Sequence, residues 1–419
     1  MTRIFQIIID TIDEEKIACL TSEIGDLNLV NNISLIVPKG VGQIYKSRRS
    51  LLSEIWKSTN PMEEVSEEKL QELKNGEGSI KIIEDFPNAL YILDVAKEHA
   101  EKISKMYGVL CVTWDELPKT IEYLEQIKYY HTHYKDNTKW CDIVGDKDRN
   151  TNICSNSLLI VDKYFFSRFS KESDNIIEGL LDLIECFVDN SFGSNYNVWI
   201  IYDPLESLPQ DEKKQIIDHK NNVLNEQNAN IEETIKNKIK NYNIKCIPIS
   251  SSQCGDLFHD RKVFSPYFQI TATHYLNNLK NDQEVFCIFP FHGFRRGAPK
   301  DATPLVQSNV ALEDIRCLLS DNGIKEVDLP LFKDICSIDN PIVKINKVEG
   351  KFAHAKFQGR KYKILNDGND SEKLEQGDRI QITSSRWDDK TPKSNCRFAY
   401  SSEIKLVYRR SNKEDHNPY

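Results

Sequence analysis

The sequence predicts an α/β protein of mixed sheets flanked by helices, ending in a small C-terminal β-barrel of the OB or SH3 type. Three observations predict it. With 39% apolar and 28% charged residues, 17 Gly and 15 Pro in 419 positions, the chain is globular in composition and long enough for several domains. Apolar runs of strand length alternate with helical patterns through residues 1–130 and again after residue 157, which is how βαβ units read. Short strand-like segments separated by turn residues fill residues 341–419, as a small barrel requires.

Taken in order, Ile4 to Ile9 is the first expected strand, Ile33 to Val37 the second, and Ala89 to Leu93 and Val109 to Val112 two more. Between the last two, Ala96, Ala100, Ile103 and Met106 recur at helical spacing, and Gly108 is placed to take the left-handed cap. The polar stretch Asn60 to Gly78 reads as an exposed helix with loops inserted into this domain. Residues 131–156 read as a polar connecting segment.

A second α/β domain then spans 157–340. Its strands are Ser157 to Phe166, Val198 to Asp203 and Ile244 to Ile249. One helix presents Ile176, Leu180, Leu183 and Phe187, and a longer polar one covers about Asp211 to Asn241. Leu312 to Leu319 is the best helical candidate beyond residue 303. The last domain, 341–419, should hold strands at Val343 to Val348, Ala353 to Phe357, Lys361 to Leu365, Arg379 to Thr383 and Arg397 to Ser402. Gly359, Asp367-Gly368 and Gly377-Asp378 mark its turns.

Charge divides the chain. Residues 341–419 hold 17 basic and 11 acidic side chains, a net +6, which leaves 38 basic and 53 acidic, a net −15, in residues 1–340. A basic end on an acidic body is the footprint of a surface that meets a polyanion, or of one that docks on its own acidic neighbour. No apolar run has the roughly 20 residues of a membrane span, and the N-terminus lacks the pattern of a signal peptide. Eleven Cys form no CxxC pair, so reduced thiols in a cytosolic protein are expected, with no membrane partner.

The segment from Cys254 to Leu276 carries the candidate chemistry. On a strand starting near Phe258, His259 and Arg261 share one face and Asp260 lies on the other. A guanidinium offers two oxygens a planar fork, and an imidazole beside it can attack phosphorus or move a proton near neutral pH. The same three residues also fit a structural salt-bridge cluster at a strand start. Asp162 and Lys163 end a very apolar strand, where ligands line the sheets of α/β proteins, and Asp203 ends the next one. They are either partners of His259 across neighbouring strands or charged termini leaving the core. Arg295 and Arg296, among the aromatics of Phe286 to Arg296, fit base stacking and phosphate binding or an exposed basic turn. In the last domain Lys351, Lys356, Arg360, Lys361 and Lys363 are the candidate backbone contacts. His131 and His133 with Cys141 and Asp142 match no zinc spacing, so neither a metal nor another cofactor is expected.

Phe258-His259-Asp260-Arg261, following a strand in an α/β region, resembles the HDR variant of the phospholipase D-like superfamily over residues about 157–295. In that pattern, HxKxxxxD, the His is the nucleophile and the basic residue two positions later binds phosphate. Arg261 stands at the basic position, Pro266 replaces the Asp, and a second motif is absent. The resemblance implies a fold that holds phosphodiesters or phospholipid head groups, more often for binding than for hydrolysis.

The expected function is therefore a cytosolic nucleic-acid- or phosphate-binding accessory protein. Such proteins are common in prokaryotic defence and mobile-element systems, a context that enters by analogy alone. Two alternatives stay open. One is an active phosphodiesterase or nuclease using His259 in a homodimer. The other is a scaffold that docks a protein partner from the same system and keeps a vestigial site.

Overall fold

A computed structural model describes residues 2–3, 5–11, 13–24, 33–40, 60–76, 81–126, 130–131, 139–140, 154–167, 169–188, 196–208, 220–254, 258, 261–272, 276, 284–288, 304–325, 329–332, 335–336, 342–357, 360–367, 373–382, 386–387 and 396–408. The architecture is mixed α/β, with several sheets flanked by helices. It divides into two compact units, Ile4–Asp334 and Ile335–Tyr419 with Met1–Arg3.

The larger unit begins with β1 (Phe5–Ile9), α1 (Glu14–Ile24), β2 (Ile33–Pro38), β3 (Asn60–Val65), α2 (Glu67–Asn75) and α3 (Lys81–Asp85). It continues through β4 (Leu90–Leu93), α4 (Lys97–Tyr107), β5 (Leu110–Thr113) and α5 (Leu117–Gln126). These five strands form one parallel sheet, in the order β3-β2-β1-β4-β5. Strand alternation sends Ile7, Ile9, Leu90, Ile92, Leu110 and Val112 into one core and Ile8, Tyr91, Leu93 and Cys111 into another. A sheet apolar on both faces is what parallel strands need, because their crossover helices cover both sides. Gly108 caps α4 with φ 61°, the left-handed conformation that glycine adopts without strain.

The stretch expected to be an exposed insertion is part of this sheet. Asn60–Val65 pairs with β2, and α2 buries Leu70 and Leu73. Its sequence reads as a loop because β3 pairs with β2 alone among the described residues, an edge position where polar residues such as Glu64 are tolerated.

The second sheet contains β6 (Tyr130–His131), β7 (Ser157–Val161), β8 (Asn197–Tyr202), β9 (Asn243–Pro248), β10 (Arg261–Phe264), β11 (Gln269–Ala272) and β12 (Glu284–Ile288). The order is β9-β8-β7-β10-β11-β12-β6. β7, β8 and β9 run parallel, linked by α6 (Phe169–Glu185) and α7 (Lys220–Lys238), and β10 joins β7 antiparallel. Helix α6 buries Ile176, Ile177, Leu180, Leu183 and Ile184, and α7 buries Ile231 and Ile235, the stripe that helical spacing requires. A further helix, α8, covers Pro304–Asp321.

One hydrophobic core runs through both sheets, and buried hydrogen bonds sew them together. The Tyr267 hydroxyl donates to the Ala89 carbonyl at 2.9 Å and accepts from the Leu110 N–H at 2.9 Å. The Asn156 side-chain amide donates to the Pro87 backbone carbonyl and to Asn88 Oδ1, and the Asn88 side chain donates to the Pro330 carbonyl at 2.8 Å. Trp140 is fully buried, its indole donating to the Leu276 carbonyl at 3.0 Å. A buried polar group left without a partner is costly, so each of these bonds fixes a relative position.

The smaller unit holds β13 (Ile342–Glu349), β14 (Phe352–Phe357), β15 (Arg360–Leu365), β16 (Arg379–Ile382), β17 (Arg386–Trp387), β18 (Cys396–Ala399) and β19 (Ile404–Tyr408). Their order is β17-β18-β15-β14-β13-β16-β19. Thr2–Arg3 separately pairs with Ile335–Cys336. β13 pairs with β16 through Ile342 to Lys344 and with β14 from Ile345 onward, with a register shift between Ile345 and Lys347. That extra residue lets the strand turn a corner. Val343, Ile345, Ala353, Ala355, Tyr362, Ile364, Ile380 and Ile382 form the core beneath. The terminal strands β17 and β19 are not paired with each other among the described residues, so closure of the expected barrel is not shown.

Candidate functional site

Two clusters carry charge in an ordered way: the carboxyl ends of β7 and β8, and the outward face of β13-β14-β15.

At the first, Asp162 follows β7 and is completely buried. Its carboxylate accepts the Tyr164 N–H at 2.8 Å and the Leu276 N–H at 3.3 Å. The antiparallel register that opposes Lys262 to Val161 brings Arg261 abreast of it, with Arg261 Nε 3.5 Å from Asp162 Oδ1. Burial pushes the Asp162 carboxyl up to about 6, against the two N–H donors and Arg261, which favour its charge. The guanidinium also lies over the Tyr164 ring at 5.3 Å, and Lys163 Nζ approaches the same ring at 5.2 Å.

Lys163 turns to Glu206 at 3.4 Å. Asp203, after β8, accepts the Leu205 N–H at 2.9 Å, the Ser251 N–H at 3.1 Å and the Ser251 hydroxyl. Each carboxylate thus organises the loop that follows its strand. Of the residues expected at this end, the structure brings Asp162 and Arg261 together and sends Lys163 to a different partner. His259, Asp260, Arg295 and Arg296 lie outside the described residues. Phe258 is not part of a strand, and the described strand covers Arg261–Phe264.

A matching node in the first sheet escaped the sequence reading. The Asp10 side chain, at the carboxyl end of β1, accepts the Asp94 N–H at 2.8 Å and the Trp114 indole N–H at 3.4 Å, and pairs with Lys74 at 2.5 Å. A single Asp after an apolar strand was its signal, the same one that singled out Asp162 and Asp203.

The second cluster is a cross-strand ladder of basic residues. Register opposes Lys347 to His354, His354 to Lys363, and Lys356 to Lys361. Inward Ala353, Ala355, Tyr362 and Ile364 are buried, which leaves exposed Lys347 and Lys361 and partly exposed His354 and Lys363 on the outward face. Lys363 Nζ lies over the Phe352 ring at 4.2 Å. Glu349 pairs with Lys347 at 2.8 Å and stands 3.6 Å from His354 Nε2. Partial burial lowers the His354 pKa; Glu349 opposes that shift, and Lys347 and Lys363 add to it.

Lys351 is exposed in the turn after β13, and Arg360 opens β15 opposite Phe357. Lys356 and Arg360 are placed by strand register alone. Lys347, Phe352 and His354 were missed, although strict alternation in Phe352-Ala-His354-Ala-Lys356 could have found the last two.

No helix among the described residues is long and apolar enough to cross a membrane. No family model matches the sequence, and no curated protein or solved structure shows significant similarity to it.

Proposed function

We propose that the protein is a nucleic-acid- or phosphate-binding accessory protein that contacts its polyanion through the outward face of β13-β14-β15. The observation that carries this is the direct opposition of Lys356 to Lys361, beside a row in which His354 stands between Lys347 and Lys363. Like charges opposite one another on a sheet cost stability, and a bound polyanion offsets that cost. The net +6 of residues 341–419 points the same way. The OB- or SH3-like barrel class belongs to this proposal, supported by the corner in β13 and by the single order that joins seven strands.

At the carboxyl end of β7 the buried Asp162 balances the charge of Arg261, which favours the salt-bridge reading of that cluster over a phosphate site. Catalysis by His259 and a scaffold role therefore stand as competing readings. A cytosolic location and a defence or mobile-element context are part of the proposal, on the grounds of sequence and analogy given above.

The test is binding of the full chain to labelled nucleic acid across a salt series, with the same reactions run on gels for cleavage. Affinity should fall steeply with salt, and Lys361→Glu/Lys363→Glu should flatten the log–log slope by roughly 0.7 to 0.9 per contact removed. Cleavage lost in His259→Ala would instead establish the phosphodiesterase. Absence of binding at low salt would leave the scaffold.

A further inference from the structure

We infer that the occupant of the β13-β14-β15 face is a single-stranded nucleic acid, its base lying on the Phe352–Leu365 pair and its phosphates on the neighbouring basic rows. The inference rests on the polyanion reading and names the substrate class within it.

The face is banded. Across the strands run three rows fixed by register: Glu349, Phe352 and Leu365; then Lys347, His354 and Lys363; then Lys356 and Lys361. Adjacent rows are two residues apart along each strand, about 6.7 Å. Phe352 and Leu365 are both partly exposed, so the first row offers apolar surface without a cation of its own. Glu349 gives that row its one described charge, a negative one that is paired with Lys347 of the next row. The next rows hold the cations. Lys363 joins the two bands physically, since its ammonium sits over the Phe352 ring at 4.2 Å.

A uniformly basic face would accept any polyanion. An apolar strip beside a basic ladder matches a ligand in which a flat apolar group and a phosphate recur side by side at nucleotide spacing. A single strand presents both, because its bases are free to stack on an aromatic ring while its backbone follows the cations. A duplex keeps its base faces inside and shows edges alone in its grooves, so the Phe352–Leu365 strip adds nothing to duplex binding. An inorganic polyphosphate has no base at all.

The experiment uses the full chain with a labelled single-stranded oligonucleotide, displaced by the unlabelled strand, by its duplex and by inorganic polyphosphate at equal phosphate concentration. The single strand should displace the label at concentrations lower by about tenfold or more. Phe352→Ala should erase that advantage while leaving polyphosphate binding unchanged, which also shows that the sheet is folded, and Phe352→Trp should retain it. Equal displacement by all three competitors would overturn the single-strand assignment and leave the polyanion reading standing. Failure of all three to bind would remove both.

Discussion

Asp162, just past the end of β7, and Arg261, at the start of the antiparallel β10, stand side by side, the carboxylate wholly buried and the guanidinium 3.5 Å away over the ring of Tyr164. Because burial raises the Asp162 pKa to about 6, the folded protein binds a proton more tightly than the unfolded chain between about pH 4 and pH 6. Stability from this group is therefore full at the acid end and falls as pH rises through that window, by on the order of 3 kcal/mol. Asp162→Asn should remove this slope. Urea unfolding of both proteins at several pH values checks it, and parallel curves would show that Asp162 does not titrate there.

Tyr267 is a crossbeam between the two sheets of the larger unit, one hydroxyl serving Ala89 and Leu110. Tyr267→Phe keeps the ring and strands both backbone groups in a dry environment. The expected loss is about 1–3 kcal/mol, read as a lower urea midpoint with an unchanged slope.

Asp10 ties β1 to α2 and to the loops after β4 and β5 through Lys74, Asp94 and Trp114. Asp10→Ala leaves the partly buried Lys74 ammonium without this counter-ion and should cost about 2–4 kcal/mol. Lys74→Met in the same background should recover part of it. Thermal unfolding of the single and double variants measures the coupling.

His354 stands between Lys347 and Lys363, and its lowered pKa keeps it neutral at pH 7. It gains charge as pH falls through that lowered value, so the basic ladder strengthens in acid. Polyanion affinity should rise as pH falls below the ordinary histidine range, and His354→Gln should abolish most of that rise. Anisotropy titrations at constant ionic strength decide it.

What the sequence revealed follows burial. Leu158 to Val161 and Val198 to Tyr202 are buried on both faces and read as strands without ambiguity. Asn60–Val65 and Ile404–Tyr408 are edge strands; neither was read as a strand, the first because it is polar, the second because it follows a turn-rich tail and exposes Leu406. At the candidate sites, sequence identified Asp162, Arg261, Lys361 and Lys363 as chemistry worth following. Partners could not be read. That Arg261 meets Asp162 depends on the register between segments distant in the chain, which the packing of whole strands sets, and that His354 faces Lys363 depends on the register of the β14–β15 hairpin.

The seam between the two sheets also bears on how the chain is made. Ala89 and Leu110 leave the ribosome long before Tyr267, which follows them by 178 and 157 positions, and Asn88 waits 242 positions for Pro330. At ordinary elongation rates the first of these delays is roughly ten to thirty seconds. During that interval the nascent amino-terminal sheet shows water an apolar face whose covering has not yet been synthesised. The larger unit must therefore finish folding late in translation, and its emerging first half is the stage most exposed to chaperones and to misassociation.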